Sequence, residues 1–180
     1  EPPNHGQITQ NGRQITYLPD PNWSGSDSFS FLVKDNGDPA GSHANPGDLQ
    51  SDAAAVATTV RPVDDVPVNT IPAPQSTNED TALIFSAANG NRISVGDVDD
   101  ADNSIAGDAP LRVTLTGVNG VMTLAGTSGL TFTSGTGTAD MSMTFVATIS
   151  NINAALSGLS FTPAANFNGS AALTISTNDM

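Results

Sequence analysis

Ile15-Thr16-Tyr17-Leu18-Pro19-Asp20-Pro21-Asn22-Trp23-Ser24-Gly25-Ser26 returns without a gap as Leu159-Ser160-Phe161-Thr162-Pro163-Ala164-Ala165-Asn166-Phe167-Asn168-Gly169-Ser170. The correspondence runs on to Asp35 and Asp179 at a constant offset of 144 residues. Self-similarity at a fixed period is the signature of a tandem array, and it governs how every other segment is read. A chain of 180 residues then holds one period and a fraction of the next. The expectation is a slice of a longer repetitive protein.

The composition points to strands and turns. Hydrophobic residues make up 37% and aromatic residues 5%, against 17 glycines and 12 prolines. That is too thin for a thick α/β core and suits short strands with frequent turns. Thr and Val favour the pleated, half-buried surface of a sheet. The fold class expected is all-β.

Charge narrows the function. The net charge is −13, lysine occurs once, and the only glutamates are Glu1 and Glu79. With no basic stripe to neutralise phosphates, nucleic acid is excluded as a partner, and so is docking on an anionic membrane. Aspartate is short, sits well in turns and coordinates hard cations. Cysteine is absent, so a secreted version of this chain would take its stiffness from bound metal rather than disulfides. No apolar run is long enough to cross a membrane, and no signal peptide is recognisable.

Residues 1–66 read as the back half of one repeat. Phe29, Phe31 and Val33 alternate with polar residues, as do Val56, Thr58 and Val60, which fits half-buried antiparallel strands. A Gly/Pro/Asn/Asp loop separates them, and the linker Arg61-Pro62-Val63-Asp64-Asp65-Val66-Pro67 follows. Residues 67–180 read as the next repeat without its last strand. Its strands are expected at 83–85, 93–95, 111–116, 121–124, 130–132, 141–149 and 172–175. Asn119-Gly120 is a hairpin signal, and Ile152 to Leu156 reads as a helical turn crossing between sheets. This pattern predicts a two-sheet sandwich. Its missing strand means either a cut array or exchange of strands between copies.

The densest acid cluster is Asp97-Val98-Asp99-Asp100-Ala101-Asp102-Asn103. Alternate residues of an extended chain share a face, so Asp97 and Asp99 converge. Carboxylates so placed raise each other's pKa, and a calcium ion, which takes six to eight oxygen ligands, removes that cost. Asp64 and Asp65 at the linker, Glu79 in Asn78-Glu79-Asp80-Thr81, and Asp35 at a strand end complete the candidate set, with Asp100 beside the pair. A solvated acidic surface is the bland alternative.

These segments resemble cadherin repeats. Val33-Lys34-Asp35-Asn36-Gly37-Asp38-Pro39 is similar to their strand-end motif, and Ser94 to Asp100 to their Asp-x-Asp calcium segment. Glu79 stands where their first-strand glutamate would, and Asp64-Asp65 resembles their acidic linker. The closer resemblance is to bacterial cadherin-like repeats of the tandem-95 or VCBS type, found in giant secreted adhesins and surface proteins. Their phrase Tyr-x-Pro-x-x-Asn-Phe-x-Gly-x-Asp-Ser-Phe stands here as Tyr17 to Phe29, with Trp23 in the aromatic place. Asn78 to Thr81 and Ile152 to Pro163 extend the likeness over most of the chain. The resemblance implies Ca²⁺-dependent extracellular scaffolding or adhesion without catalysis, with neighbouring copies of the same repeat as partners and surface glycans or other cells as further candidates.

The chain departs from that family in two places. The middle strands carry no Leu-Asp-Arg-Glu segment, and no asparagine follows Asp64-Asp65-Val66, which lowers the expected number of ions to one or two. Tyr17, Trp23 and Phe29 are expected to fill the core, as are Met141 and Met143. His5 and His43 read as loop histidines, and no Gly-x-Ser-x-Gly elbow is present. Two other readings stay open: a subunit of an extracellular filament joined by donor-strand exchange, and a carbohydrate-binding accessory module.

Overall fold

In a computed structural model the described residues are 1–33, 51–101 and 110–180. Contacts divide the chain into two compact units, Glu1–Val63 and Asp64–Met180. Asp35, His43, Asp102 and Asn103 lie outside the described residues.

Among its described residues the first unit holds four strands: β1 (Gly6–Asn11), β2 (Gln14–Pro19), β3 (Gly25–Phe31) and β4 (Ala54–Val60). β1 and β2 pair antiparallel from Gly6↔Pro19 to Asn11↔Gln14, and the turn between them uses Gly12 at φ 60°. β3 and β4 pair antiparallel from Gly25↔Val60 to Phe31↔Ala54. The expected aromatic core does not form here. Tyr17, Trp23 and Phe29 are all half-exposed, and the one buried side chain among the described residues of this unit is Asp27.

Asp27 is buried because it is fully bonded. Its carboxylate accepts the N–H groups of Asn4 and His5, both at 3.0 Å, and of Ser28 at 2.8 Å. The Tyr17 hydroxyl adds a fourth bond at 3.0 Å. Burial alone would push this carboxyl up, but the four donors outweigh it and hold it below the usual aspartate range. His5 is more than a loop residue, since its ring stacks on Trp23 with centroids 4.5 Å apart.

The second unit is a two-sheet sandwich. One sheet has the order β10 (Thr131–Ser134), β11 (Ser142–Thr148), β8 (Pro110–Val118), β13 (Ala172–Asp179). The other has the order β6 (Leu83–Ile84), β12 (Ser160–Pro163), β9 (Gly120–Thr123). A short pair, β5 (Val68–Thr70) with β7 (Ser94–Gly96), lies beside them. Strict alternation on β8 and β11 sends Leu111, Val113, Leu115, Met143 and Phe145 inward, each 0–1% exposed. They meet Met122 and Phe161 from the other sheet, and Leu159 just before β12, in one core.

The helix α1 (Ile149–Leu156) carries the chain from β11 to β12, and so from one sheet to the other, as the sequence suggests. It starts three residues earlier than read, because the Thr148 hydroxyl caps it by accepting the Asn151 N–H at 3.3 Å. Ile152 and Leu156 are its fully buried anchors.

Two further expectations fail for identifiable reasons. Asn119-Gly120 does not close a hairpin. β8 pairs with β11 and β13 while β9 pairs with β12, so this turn is a corner between sheets, with Asn119 at φ 61°. Met143 is buried but Met141 is 63% exposed. β11 begins only at Ser142, after Asp140 has bent the chain, so the alternation does not reach back to Met141. Asp140 holds that bend by accepting the N–H groups of Thr136 and Gly137, each at 2.7 Å.

Candidate functional site

One end of the second unit collects carboxylates from three segments. Pairing of Val68 with Gly96 lays the linker-derived strand β5 along β7. Asp64 and Asp65 therefore arrive beside Asp97 and Asp99, which follow β7 directly. The Asp65 N–H donates to Asp99 Oδ2 at 2.6 Å, and the Asp99 N–H donates to Asp97 Oδ1 at 3.1 Å. Asp99–Ala101 forms a short 3-10 turn. Asp100, within that turn, is buried.

The fifth acid comes from the far end of the sequence. β13 pairs with β8 so that Asp179 lies opposite Leu111, while the Thr177 hydroxyl meets the Asn69 side chain at 3.2 Å. These contacts bring Asp179 to the linker. The carboxyl of Asp64 is raised above its ordinary value, first by the charge of Asp179, then by burial, then by Asp99, Asp97 and Asp65. Four negative neighbours disfavour its charged form, which is the electrostatic signature of unpaired acids held together.

The fold holds β7 in place through a side chain. Asn153 of α1 accepts the Val95 N–H at 2.9 Å and donates its amide to the Val95 carbonyl at 2.8 Å. A side-chain amide thereby stands in for a missing strand partner, and it sets where Asp97 leaves the sheet.

Glu79 does not join this group. The neighbouring Asp80 carboxylate accepts the Asn166 N–H at 2.9 Å, and the Ala164 N–H in the same loop bonds the Asn119 carbonyl at 2.9 Å. That loop lies at the Ala172–Val118 end of the β13–β8 ladder, whereas Asp179 lies at the Leu111 end. Roughly 24 Å of strand separates the two ends, so no single ion can join Glu79 to Asp97 and Asp99. Asp35 lies outside the described residues.

Sequence reasoning passed over Asp179 as a site residue, although the signal was present. At the offset of 144, Asp179 is the counterpart of the candidate Asp35. The donor set is all carboxylate oxygen, the chemistry a hard divalent cation takes. Among the described residues, however, no three His, Asp or Glu side chains are already grouped closely enough to hold a metal ion. Also among the described residues, no helix is long and apolar enough to cross a membrane.

No match was found among curated proteins or among solved structures. Residues 1–45 match the family model of the bacterial Ig domain. That match supports a bacterial Ig-like repeat, a structural type of module typical of surface proteins, without singling out the cadherin-like kind.

Proposed function

We propose that this chain is a calcium-stiffened structural or adhesive repeat of a large extracellular bacterial surface protein, of the cadherin-like type. One observation carries the reading: Asp64, Asp65, Asp97, Asp99 and Asp179 are drawn from linker, turn and strand to one end of the second unit, and Asp64 is harder to ionise as a result. Such an arrangement opposes folding at neutral pH unless a cation offsets the repulsion. Ca²⁺ bound by these carboxylates would supply that charge and hold the linker residues 64–67 against the turn after β7. Extracellular calcium modules typically bind at roughly 10⁻⁴–10⁻³ M, weak but adequate outside cells. The match of residues 1–45 to a bacterial Ig domain supports the surface setting.

The test is a thermal melt in millimolar calcium and in chelator. Calcium should raise the midpoint by several degrees, following the mass-action stabilisation of a folded state that alone binds the ion. The double variant Asp97→Asn with Asp99→Asn should melt at one temperature in both buffers. Equal midpoints for the unaltered chain would remove the calcium reading and leave an acidic solvated surface. Small-angle scattering then addresses stiffening separately, since a larger maximum dimension in calcium than in chelator is expected.

A further inference from the structure

Asn-Gly occurs at Asn11, Asn36, Asn89, Asn119 and Asn168, of which Asn36 lies outside the described residues. The dipeptide has a chemistry of its own. Glycine has no side chain to shield its backbone nitrogen or to restrict its peptide, so that nitrogen can reach the side-chain carbonyl carbon of the asparagine before it. Two conditions must hold: the asparagine amide must be free to turn, and the glycine peptide must be free to swing. The fold treats the described pairs differently.

Asn89 is tied down. Its side-chain amide donates to the Ile84 carbonyl at 3.0 Å, and its N–H donates to Ser86 Oγ at 3.2 Å. The nucleophile is held as well, since the Gly90 N–H donates to the Ala87 carbonyl at 3.1 Å. Asn119 is both tied and crowded. Its side-chain amide donates to the Ser170 carbonyl at 3.0 Å, and its own carbonyl accepts the Ala164 N–H at 2.9 Å. Gly120 sits in β9 opposite Pro163, with the Thr162 carbonyl oxygen 2.6 Å from where a Cβ would stand. Asn168 has no side-chain bond among the described residues, but the Phe167 ring covers Gly169, 3.1 Å from its Cβ position.

Asn11 escapes every one of these restraints. The β1–β2 register ends at Asn11↔Gln14, so Gly12-Arg13 is a two-residue loop with glycine at φ 60° in its first central position. The closing bond of such a turn joins residues 11 and 14 and makes no use of the Gly12 N–H. The side-chain bond that does reach Gly12 falls on its carbonyl, from the Gln10 amide at 3.1 Å. Asn11 is exposed and without a side-chain bond among the described residues, and nothing stands within 4 Å of a Cβ on Gly12. These are local properties of the turn, set by pairing inside the hairpin.

We propose that Asn11-Gly12 is a site of spontaneous covalent modification, where the side chain closes onto the backbone and reopens as aspartate or isoaspartate. The Gly12 nitrogen, deprotonated by solvent base, attacks Asn11 Cγ. The N–Cγ bond forms, the Cγ–Nδ2 bond breaks, and ammonia leaves after taking up a proton. Water is the co-reactant for the second step and adds to one carbonyl of the cyclic imide. Cleavage of the N–Cγ bond gives aspartate, and cleavage of the original peptide bond gives isoaspartate, whose backbone runs through Cγ. Either product adds a negative charge to the −13 of the chain. Isoaspartate also lengthens β1 by a methylene at the last pair of its ladder. No step involves a cation.

The full chain is held in mildly alkaline buffer and sampled over weeks. Peptide mapping with mass spectrometry resolves asparagine, aspartate and isoaspartate at each position. In the folded chain Asn11 should convert at least about tenfold faster than Asn89, Asn119 or Asn168, because each of those must first give up bonds or packing. Isoaspartate should accumulate beside aspartate, since direct hydrolysis of the side chain cannot yield it. In urea the four sites should converge to within a few-fold, because unfolding removes the restraints and leaves the same dipeptide. An intact Asn11, equal rates in the folded chain, or aspartate without isoaspartate would overturn the proposal. So would a folded-chain order that persists in urea, which would place the preference in the neighbouring sequence and not in the fold.

Discussion

The two units share one frame and close it with opposite chemistry. Gly6 faces Pro19 in the first unit as Gly120 faces Pro163 in the second. Above that shared corner, the first unit places Tyr17 and Asp27 where the second places Phe161 and Ala171. Phe161 is buried in the core. Tyr17 is half-exposed, and its hydroxyl bonds Asp27 at 3.0 Å and the His5 carbonyl at 3.1 Å. The lesson is that Pro, Asn and Gly at matched positions specify the turn, while what fills it is interchangeable. Either an apolar ring against a core or a fully satisfied carboxylate will serve, because a buried polar group costs little once its bonds are made.

The largest effect that would separate the two closures is removal of the ring. Phe161→Ala should cost the second unit about 3–5 kcal/mol, read as a lowered urea midpoint by circular dichroism. Tyr17→Phe keeps the ring and loses only the bonds to Asp27 and His5. It should lower the melt of the first unit by a few degrees, followed through Trp23, which is the only tryptophan in the chain. An unchanged melt for Tyr17→Phe would mean that the first unit relies on apolar burial after all.

Next in size is the corner itself, where the units should behave alike. A methyl group on Gly120 would come 2.6 Å from the Thr162 carbonyl oxygen, and one on Gly6 would come 2.6 Å from the Leu18 carbonyl oxygen. Both obstacles are backbone, so neither can swing aside. Gly120→Ala and Gly6→Ala should each destabilise their unit by about 1–3 kcal/mol, measured by denaturant titration of each variant. A cost confined to one of them would break the equivalence of the two corners.

Acidity should then split the units in opposite directions. Asp64 is raised in the folded chain, so it opposes folding above its folded pKa, and the second unit should gain stability as pH falls from 7 through that value. Asp27 is lowered. Its contribution is complete above the ordinary aspartate pKa of about 3.9 and is lost only as pH falls below it. Asp140, where burial is outweighed by bonds from Thr136 and Gly137, follows the same rule in the second unit. Between pH 7 and about 4 the circular-dichroism melt should therefore rise while the Trp23 melt stays level, and below about 4 both should fall. A Trp23 melt that climbs along with the other would contradict the assigned shifts. The smallest effect is His5→Ala, which removes the ring stacked on Trp23. About 0.5 kcal/mol is expected, together with a change in Trp23 fluorescence in the folded state.

Much of the fold was legible because period-two alternation survives burial. Alternation marks strands at Phe29, Phe31 and Val33 and at Val56, Thr58 and Val60, and the strands expected at 111–116 and 141–149 overlap β8 and β11. The hairpin β1–β2 was not read, although Asn11-Gly12 between two alternating runs carried the signal. Asn119-Gly120 was misread because the same dipeptide serves a hairpin and a corner, and only the partners of β8 and β9 distinguish them. At the site, adjacency in sequence pointed to Asp97 and Asp99, and the linker motif to Asp64 and Asp65. Glu79 joins them in the sequence reading as the carboxylate standing where the first-strand glutamate of cadherin repeats would, and the length of β13 separates it.

By itself, the sequence determined the repeat, the all-β class, the acidic character and the turns built on Asn and Gly, since these follow from local sterics and from periodicity along the chain. Tertiary structure alone decided that Asp179 meets Asp64, that Asn153 braces Val95, and that Phe161 is buried where Tyr17 is not. Each of these depends on which strand lies beside which. Pairing across a sheet joins residues more than fifty positions apart, as with Leu111 and Asp179, and so do side-chain bonds between elements, as with Asn153 and Val95, and no local pattern in the chain records those choices.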